Sequence, residues 1–384
     1  MEEELFQQIN ADKTREYAPA IAFAALVIVF GILGNLMASI FYGYKLPKTP
    51  TNCLITCLSV LDLVTCLVLC GEVIELCYLL NFQFVAGCKT MYFLNQWLVM
   101  ASGSMLLLIA TDRFRKICRP LQRQFTMLIS KLGFAAVMAF TFVVSLRTVW
   151  VVDVVEIRKQ MPEYKNQNVT FYFCTMSKDP NLHGTITAFH WVDFIVFVVI
   201  IGGTAVLYSF ISWTIYKSRS KLQEYFKAGY KMSESTLCNT PMKDPNTSSG
   251  VETSVDIERP SMEAKRVNSL GMGSKTSSTN LTLGRREQKR MKAFQIEKKI
   301  TFMMIIVTVV SLTSFLPHFV INLAIKSKTI TEDDELKGIY QFLIRLFMLN
   351  NAVNPYIMAI CNKPFREFVE NTLCKFRKRN VTFN

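Results

Sequence analysis

The sequence predicts an all-α membrane protein, a seven-transmembrane helix bundle followed by an amphipathic eighth helix. Three observations carry that expectation. Hydrophobic residues make up 51% of the 384, among them 29 Phe, and mean hydropathy is +0.27, more apolar than a water-facing surface allows. Seven apolar runs reach the roughly 20 residues that a helix needs to cross a bilayer. Basic residues gather in alternate connections between those runs, as they do on the cytoplasmic side of a membrane.

The runs fall at about residues 18–43, 53–79, 89–118, 127–152, 185–216, 299–325 and 336–361. Ahead of them, "MEEELFQQIN" is acidic and polar, unlike a cleavable signal peptide, so 1–17 reads as an extracellular N-terminal segment. Residues 18–216 hold helices one to five with their loops. Lys45 and Lys48 follow the first run, and Arg113, Arg115, Lys116, Arg119, Arg123 and Lys131 lie around the third connection, which puts those loops in the cytoplasm. Residues 217–292, with "SESTLCNTPMKDPNTSSGVETSVD" and "GMGSKTSSTNLTLG", are rich in Ser, Thr, Gly and Asn and read as a long, largely disordered cytoplasmic loop. Residues 293–361 hold helices six and seven, interrupted by Pro317 and Pro355, which a membrane helix tolerates where neighbours satisfy the freed carbonyls. In 362–384, Phe365, Phe368, Val369, Leu373 and Phe376 recur every three or four residues. That spacing predicts a helix lying on the inner membrane face, with Cys374 as a palmitoylation site.

The expected topology is a multi-pass chain of the plasma membrane, N-terminus outside and C-terminus in the cytoplasm. It explains the net charge of +14 as a sidedness signal, so no nucleic-acid partner is expected. It also divides the eleven cysteines by compartment. Cys88, at the outer start of the third run, and Cys174, in the loop after the fourth, face the oxidising side and read as a disulfide, with Cys77 open as a competitor. Asn168, in "NVT" of the same outer loop, is the expected glycosylation site.

Several short patterns are similar in order, spacing and sidedness to those of the rhodopsin-like (class A) G-protein-coupled receptors, over all seven runs. "GN" at Gly34 and Asn35, "LSVLDL" with Asp62, "DRF" at Asp112, Arg113 and Phe114, Pro317, and "NPYIM" beginning at Asn354 and Pro355 carry the resemblance. Cys88 precedes Arg113 by 25 residues, where the family has its outer cysteine. The resemblance implies a receptor that binds an extracellular ligand and activates a heterotrimeric G protein, with receptor kinases, arrestin and membrane lipids as further partners. It implies that Arg113 pairs at rest with Asp112 and Glu297, that Tyr208, Asn354 and Pro355 belong to the switch, and that an allosteric sodium ion sits among Asp62, Ser102, Asn350, Asn354 and Asn35. Departures stand beside the matches: Phe114 for a tyrosine, Phe315 in "SFLP" for a tryptophan, Ile200 for a proline and Met358 for a tyrosine. The family's usual link between Tyr208 and that last tyrosine is therefore not expected.

Charged and polar side chains crowd the outer ends of the spans. Glu72, Glu75, Asn95, Gln96, His190, Asp193, Phe315, His318 and Arg345 are the candidate ligand pocket, and so much polarity suits a peptide better than a lipid. Asn95 stands where receptors for biogenic amines resemble one another in having Asp, which disfavours an amine. Arg345 lies at hydrocarbon depth and needs a carboxylate, for which Glu72 is the expected partner. No enzyme activity is expected: there are three His and neither HExxH nor GxSxG. The alternative reading is a multi-span transporter or channel, though no internal repeat supports the former.

Overall fold

The computed structural model of the protein describes residues 2–77, 82–161, 167–237, 298–311, 313–318, 320–321 and 337–381. The chain forms two compact units, Met1–Thr214 with Glu297–Asn384, and Ile215–Ile296. The sites discussed below lie in the first.

Helix α1 runs from Glu2 to Ile40 and tightens into a π-helical turn, Phe41–Lys45. The segment read as a separate N-terminal stretch, 1–17, is therefore helical from Glu2. The reason is a stripe that its polar composition conceals: Ile9, Tyr17, Ala20 and Ala24 share one helical face and all are buried. Beside that stripe, Glu16 accepts the backbone amide of Gly338 at 2.8 Å.

Thr49 caps α2 (Pro50–Val68) by accepting the amide of Asn52 at 3.2 Å, with Pro50 at the first helical position, where its missing amide is no loss. One turn at Leu69 separates it from α3 (Cys70–Cys77). Then come α4 (Val85–Cys118), α5 (Met127–Ser145), opened by a Thr126 cap, and the short α6 (Thr148–Val151). Two antiparallel strands follow, β1 (Val152–Met161) and β2 (Gln167–Met176), with Val154 opposite Cys174 and Gln160 opposite Asn168. From its sequence this stretch reads only as a loop. Its signal was "NVTFYFCTM", an aromatic and β-branched run of strand length.

Helix α7 runs from His183 to Leu237, so the stretch 217–237 corrects the disordered reading of the third inner loop at its beginning. Lys, Arg, Leu, Gln, Glu, Ala and Met make up 12 of these 21 residues and no proline occurs before Pro241. Residues 238–297, and with them Glu297, lie outside the described residues. The sixth helix, α8, spans Lys298–His318. Among the described residues six helices are long and apolar enough to cross a membrane. The seventh run is assembled from pieces: α9 (Gly338–Leu343), a turn carrying Arg345, a 3₁₀ turn Leu346–Met348, and α10 (Leu349–Cys361). Helix α11, Lys363–Val381, is the expected eighth helix; Phe365 is buried against Phe41 and Tyr42, while Cys374 is exposed.

Close packing of α1 on the seventh run depends on two glycines. A methyl group at Gly31 would meet Cys66 Sγ at 2.4 Å, and one at Gly34 would meet the Pro355 ring at 3.1 Å. Pro355 has no amide to give the carbonyl of Asn351, four residues earlier. Asn35 supplies the missing donor, its Nδ2 reaching Asn351 O at 2.7 Å and Gly31 O at 2.9 Å.

Candidate functional site

Polar groups gather at three depths of the bundle. At the inner end, Arg113 is fully buried, and its guanidinium donates to Asp112 Oδ2 at 2.7 and 3.2 Å. That oxygen also accepts from Thr51 Oγ1 at 2.9 Å and faces Lys116 Nζ at 3.3 Å, one helical turn on. Arg113 and Lys116 both contact the Thr51 hydroxyl as well. One carboxylate thus holds two cations, with Thr51 closing the group from α2. Lys116 was legible as an i, i+4 partner of Asp112; Thr51, far away in sequence, gave no signal. Phe114 meets Phe210 edge-on, with ring centroids 6.2 Å apart, and Arg119 lies over its face. Tyr208 is buried from α7, in the field of Arg113.

Midway, Asp62 is wholly buried between Ser102, whose hydroxyl donates at 2.6 Å, and Asn354, whose amide donates at 2.7 Å. Asn350 donates to Asn351 Oδ1 at 3.3 Å and leaves its own Oδ1 buried without a donor. Asn35, grouped with Asp62 in the sequence analysis, makes no hydrogen bond to it; its amide answers the proline-freed carbonyl instead. Carboxylate, hydroxyl and amide oxygens make a donor set that fits a hard cation. Among the described residues no group of three His, Cys, Asp or Glu could hold a metal ion.

The outer site is joined to the hairpin. Cys88 and Cys174 form the disulfide, within a buried cluster that includes Val151 and Val152. Cys77 is free. Tyr92, one turn after Cys88 on α4, donates its hydroxyl to Cys174 O at 3.2 Å. Below this, Arg345 Nε faces Glu72 Oε2 at 3.3 Å, the pair expected from the sequence. Asn95 donates to the other oxygen of Glu72 at 2.6 Å, and Arg345 Nη1 donates to Gln341 Oε1 at 2.5 Å. The break in the seventh run places Arg345 here, since its backbone lies outside the helical region. Glu75 is buried in the field of both Glu72 and Arg345.

A second group bridges α4, the α5–α6 turn and α7. Gln96 donates to Asp193 Oδ1 at 2.7 Å, and Arg147 pairs with the same oxygen while lying over the Phe189 ring. Arg147 carries no signal of this role in the sequence, where it stands near the outer end of the apolar run 127–152. Between these groups Phe315 packs on Phe197 and Phe347, and His318 Nδ1 lies 3.4 Å from Ile344 O. His190 is half-buried on α7. Trp97 turns away from the group, donating from Nε1 to Met138 O at 3.0 Å.

Comparison with known proteins fits this layout. The profile of the family described as "7 transmembrane receptor (rhodopsin family)" matches residues 34–358. The cholecystokinin receptor type A of Cavia porcellus is 24% identical over 372 residues, covering 95% of this chain and 83% of the relative. Somatostatin receptor type 2 of Mus musculus is 32% identical over 100 residues, 26% of each chain. The [Phe13]-bombesin receptor of Bombina orientalis is 31% identical over 126 residues, 30% of this chain and 32% of the relative. A match across all seven spans, with the buried Arg113 and Asp62 groups inside it, turns the reading away from a transporter or channel. The chain belongs to the rhodopsin family of seven-transmembrane receptors.

Proposed function

We propose that the chain is a plasma-membrane receptor, N-terminus outside, that binds an extracellular peptide and activates a heterotrimeric G protein. The observation that carries the ligand class is the outer half of the bundle. Glu72, Glu75, Asn95 and Arg345 on one side, and Gln96, Arg147 and Asp193 on the other, set hydrogen-bonding groups around an aromatic floor of Phe315 and Phe347. A peptide presents backbone and side-chain partners to such a mixed wall; a lipid does not. The names of the cholecystokinin, somatostatin and bombesin receptors support the same reading.

In the resting receptor Arg113 is held by Asp112 and Thr51. Once freed it faces the G protein. Asp112 stays paired meanwhile, because Lys116 remains within 3.3 Å of it. That lowers the cost of release, since a carboxylate left buried and alone is expensive. Asp62, Ser102 and Asn350 are the residues that would hold a sodium ion, whose charge would favour the resting packing. Arrestin would engage receptor-kinase sites among the Ser and Thr residues of the third inner loop. A palmitoyl chain on Cys374 would tether α11 to the lipid surface.

Purified chain in nanodiscs, mixed with each class of heterotrimeric G protein, should accelerate nucleotide exchange. A peptide library screened in transfected cells, with calcium and cyclic AMP readouts, should give agonists. Exchange without peptide hits at any concentration would remove the ligand class and keep the receptor; neither response would remove both.

A further inference from the structure

Helices α2 and α3 carry two pairs of free cysteines at helical spacing, Cys53 with Cys57 and Cys66 with Cys70. Residues four apart share one helix face, with Cβ atoms about 5–6 Å from each other. The two pairs differ in their setting. Cys66 is fully buried, its Sγ closed in against Gly31, and Cys70 directs its thiol to Cys66 O at 3.8 Å. Cys53 and Cys57 are half-buried in the first two turns of α2, at the inner end of the bundle, and their thiols interact with each other. Lys131, exposed one turn into α5, acts electrostatically on the Cys57 thiol. Thr51 stands two residues before Cys53 and turns the other way, into the Asp112 group, so the thiol pair lies across α2 from that group.

Two thiols in contact beside a cation select a particular kind of ion. A structural zinc needs four ligands, and among the described residues no third His, Cys, Asp or Glu joins the pair. Cu(I) is soft, takes thiolate sulfur and is satisfied by two ligands. Each thiol gives its proton to water as its sulfur binds, so two thiolates and one Cu(I) leave a single negative charge. Lys131 supplies the matching positive charge. No electron moves, because the ion arrives already reduced, as a cytosolic thiol complex.

We propose that Cys53 and Cys57 form a two-coordinate site for Cu(I) at the inner end of α2, with Lys131 as its counter-ion. The inference uses only the sidedness of the chain and stands whatever the extracellular ligand is.

The test uses the full-length receptor in nanodiscs, reduced and kept free of oxygen. It is loaded with Cu(I)–glutathione and then dialysed against rising bathocuproine disulfonate, a Cu(I) chelator. The unmutated chain should keep about one Cu(I) at chelator concentrations that strip Cys53→Ser and Cys57→Ser, and X-ray absorption should show copper held by two sulfurs. Cys66→Ser and Cys70→Ser should behave as the unmutated chain does. Lys131→Glu should weaken binding about tenfold with both sulfurs still in place. One readout needs no variant: bound Cu(I) should shield Cys53 and Cys57, but not Cys77, from iodoacetamide. No retained copper, copper kept equally by both serine variants, equal retention of Zn(II) loaded in the same way, no shielding of Cys53 and Cys57, or no effect of Lys131→Glu overturns the proposal. Nucleotide exchange on the same preparation reads the receptor function separately, so the copper site can fail while that reading stands.

Discussion

Exchanging the two ends of the Arg345 to Glu72 pair is the most direct perturbation of the outer site. Their side chains keep only 5% and 17% exposure, so removing one partner strands the other charge in a dry setting, at a cost of about 3–5 kcal/mol. Arg345→Glu should fall at the top of that range, because it sets a third carboxylate beside Glu72 and Glu75. Glu72→Arg should fall lower, because Glu75 remains to face both guanidinium groups. In the double variant the charges oppose again. The neighbours also permit it: Asn95 can turn its free Oδ1 toward a guanidinium at 72, and Gln341 can turn its amide toward a carboxylate at 345. Against a typical stability of 5–15 kcal/mol, the single losses should cut cell-surface display and detergent half-life severalfold, with substantial recovery in the double variant. Flow cytometry of an epitope-tagged chain and thermal decay in detergent would read both. A double variant no better than Arg345→Glu alone would refute the pairing.

Asn168→Gln should remove a glycosidase-sensitive mass, while Asn246→Gln and Asn280→Gln should change nothing; a glycan on either of the latter would reverse the orientation. Asn35→Leu leaves Asn351 O without its donor and should lower the thermal midpoint, by an amount equivalent to about 1–3 kcal/mol; an unchanged midpoint would show that the carbonyl is answered from elsewhere. Deleting 238–282 should abolish arrestin recruitment in a cell assay and spare G-protein coupling, whereas removing 377–384 should spare both; the opposite pattern would place the phosphorylated contact in the tail.

What the sequence could reveal depended on how unusual each residue was for its setting. Arg345 and Asp62 announced themselves because a charge at hydrocarbon depth must be answered, and few candidates lie at the right height. Cys88 and Cys174 were legible from the compartment, with Cys77 left as a competitor until the structure showed it free. Thr51 and Gln341 were silent, since a hydroxyl or an amide on a helix is ordinary until its partner arrives from another element. Asn35 was noticed but grouped with Asp62; its actual partner is a backbone carbonyl, and side-chain types alone cannot show which carbonyls a distant proline has released. The hairpin and the helical start of α1 were missed because a search for membrane-length apolar runs overlooks elements that bury only one face.

The bond between Asn35 and Asn351 spans 316 residues, so one of the first parts of the chain to enter the membrane is completed by one of the last. At roughly 5–20 residues per second, synthesis of the intervening chain takes about 15–60 s. Throughout that time the Asn35 amide is within the bilayer and the carbonyl it answers has not been made. Until then the Asn35 amide has Gly31 O, in its own helix, for one hydrogen, and only the other is left unmet. A chain stopped before Asn351 would carry that defect permanently, which gives quality control a chemical mark for receptors that never received their seventh span.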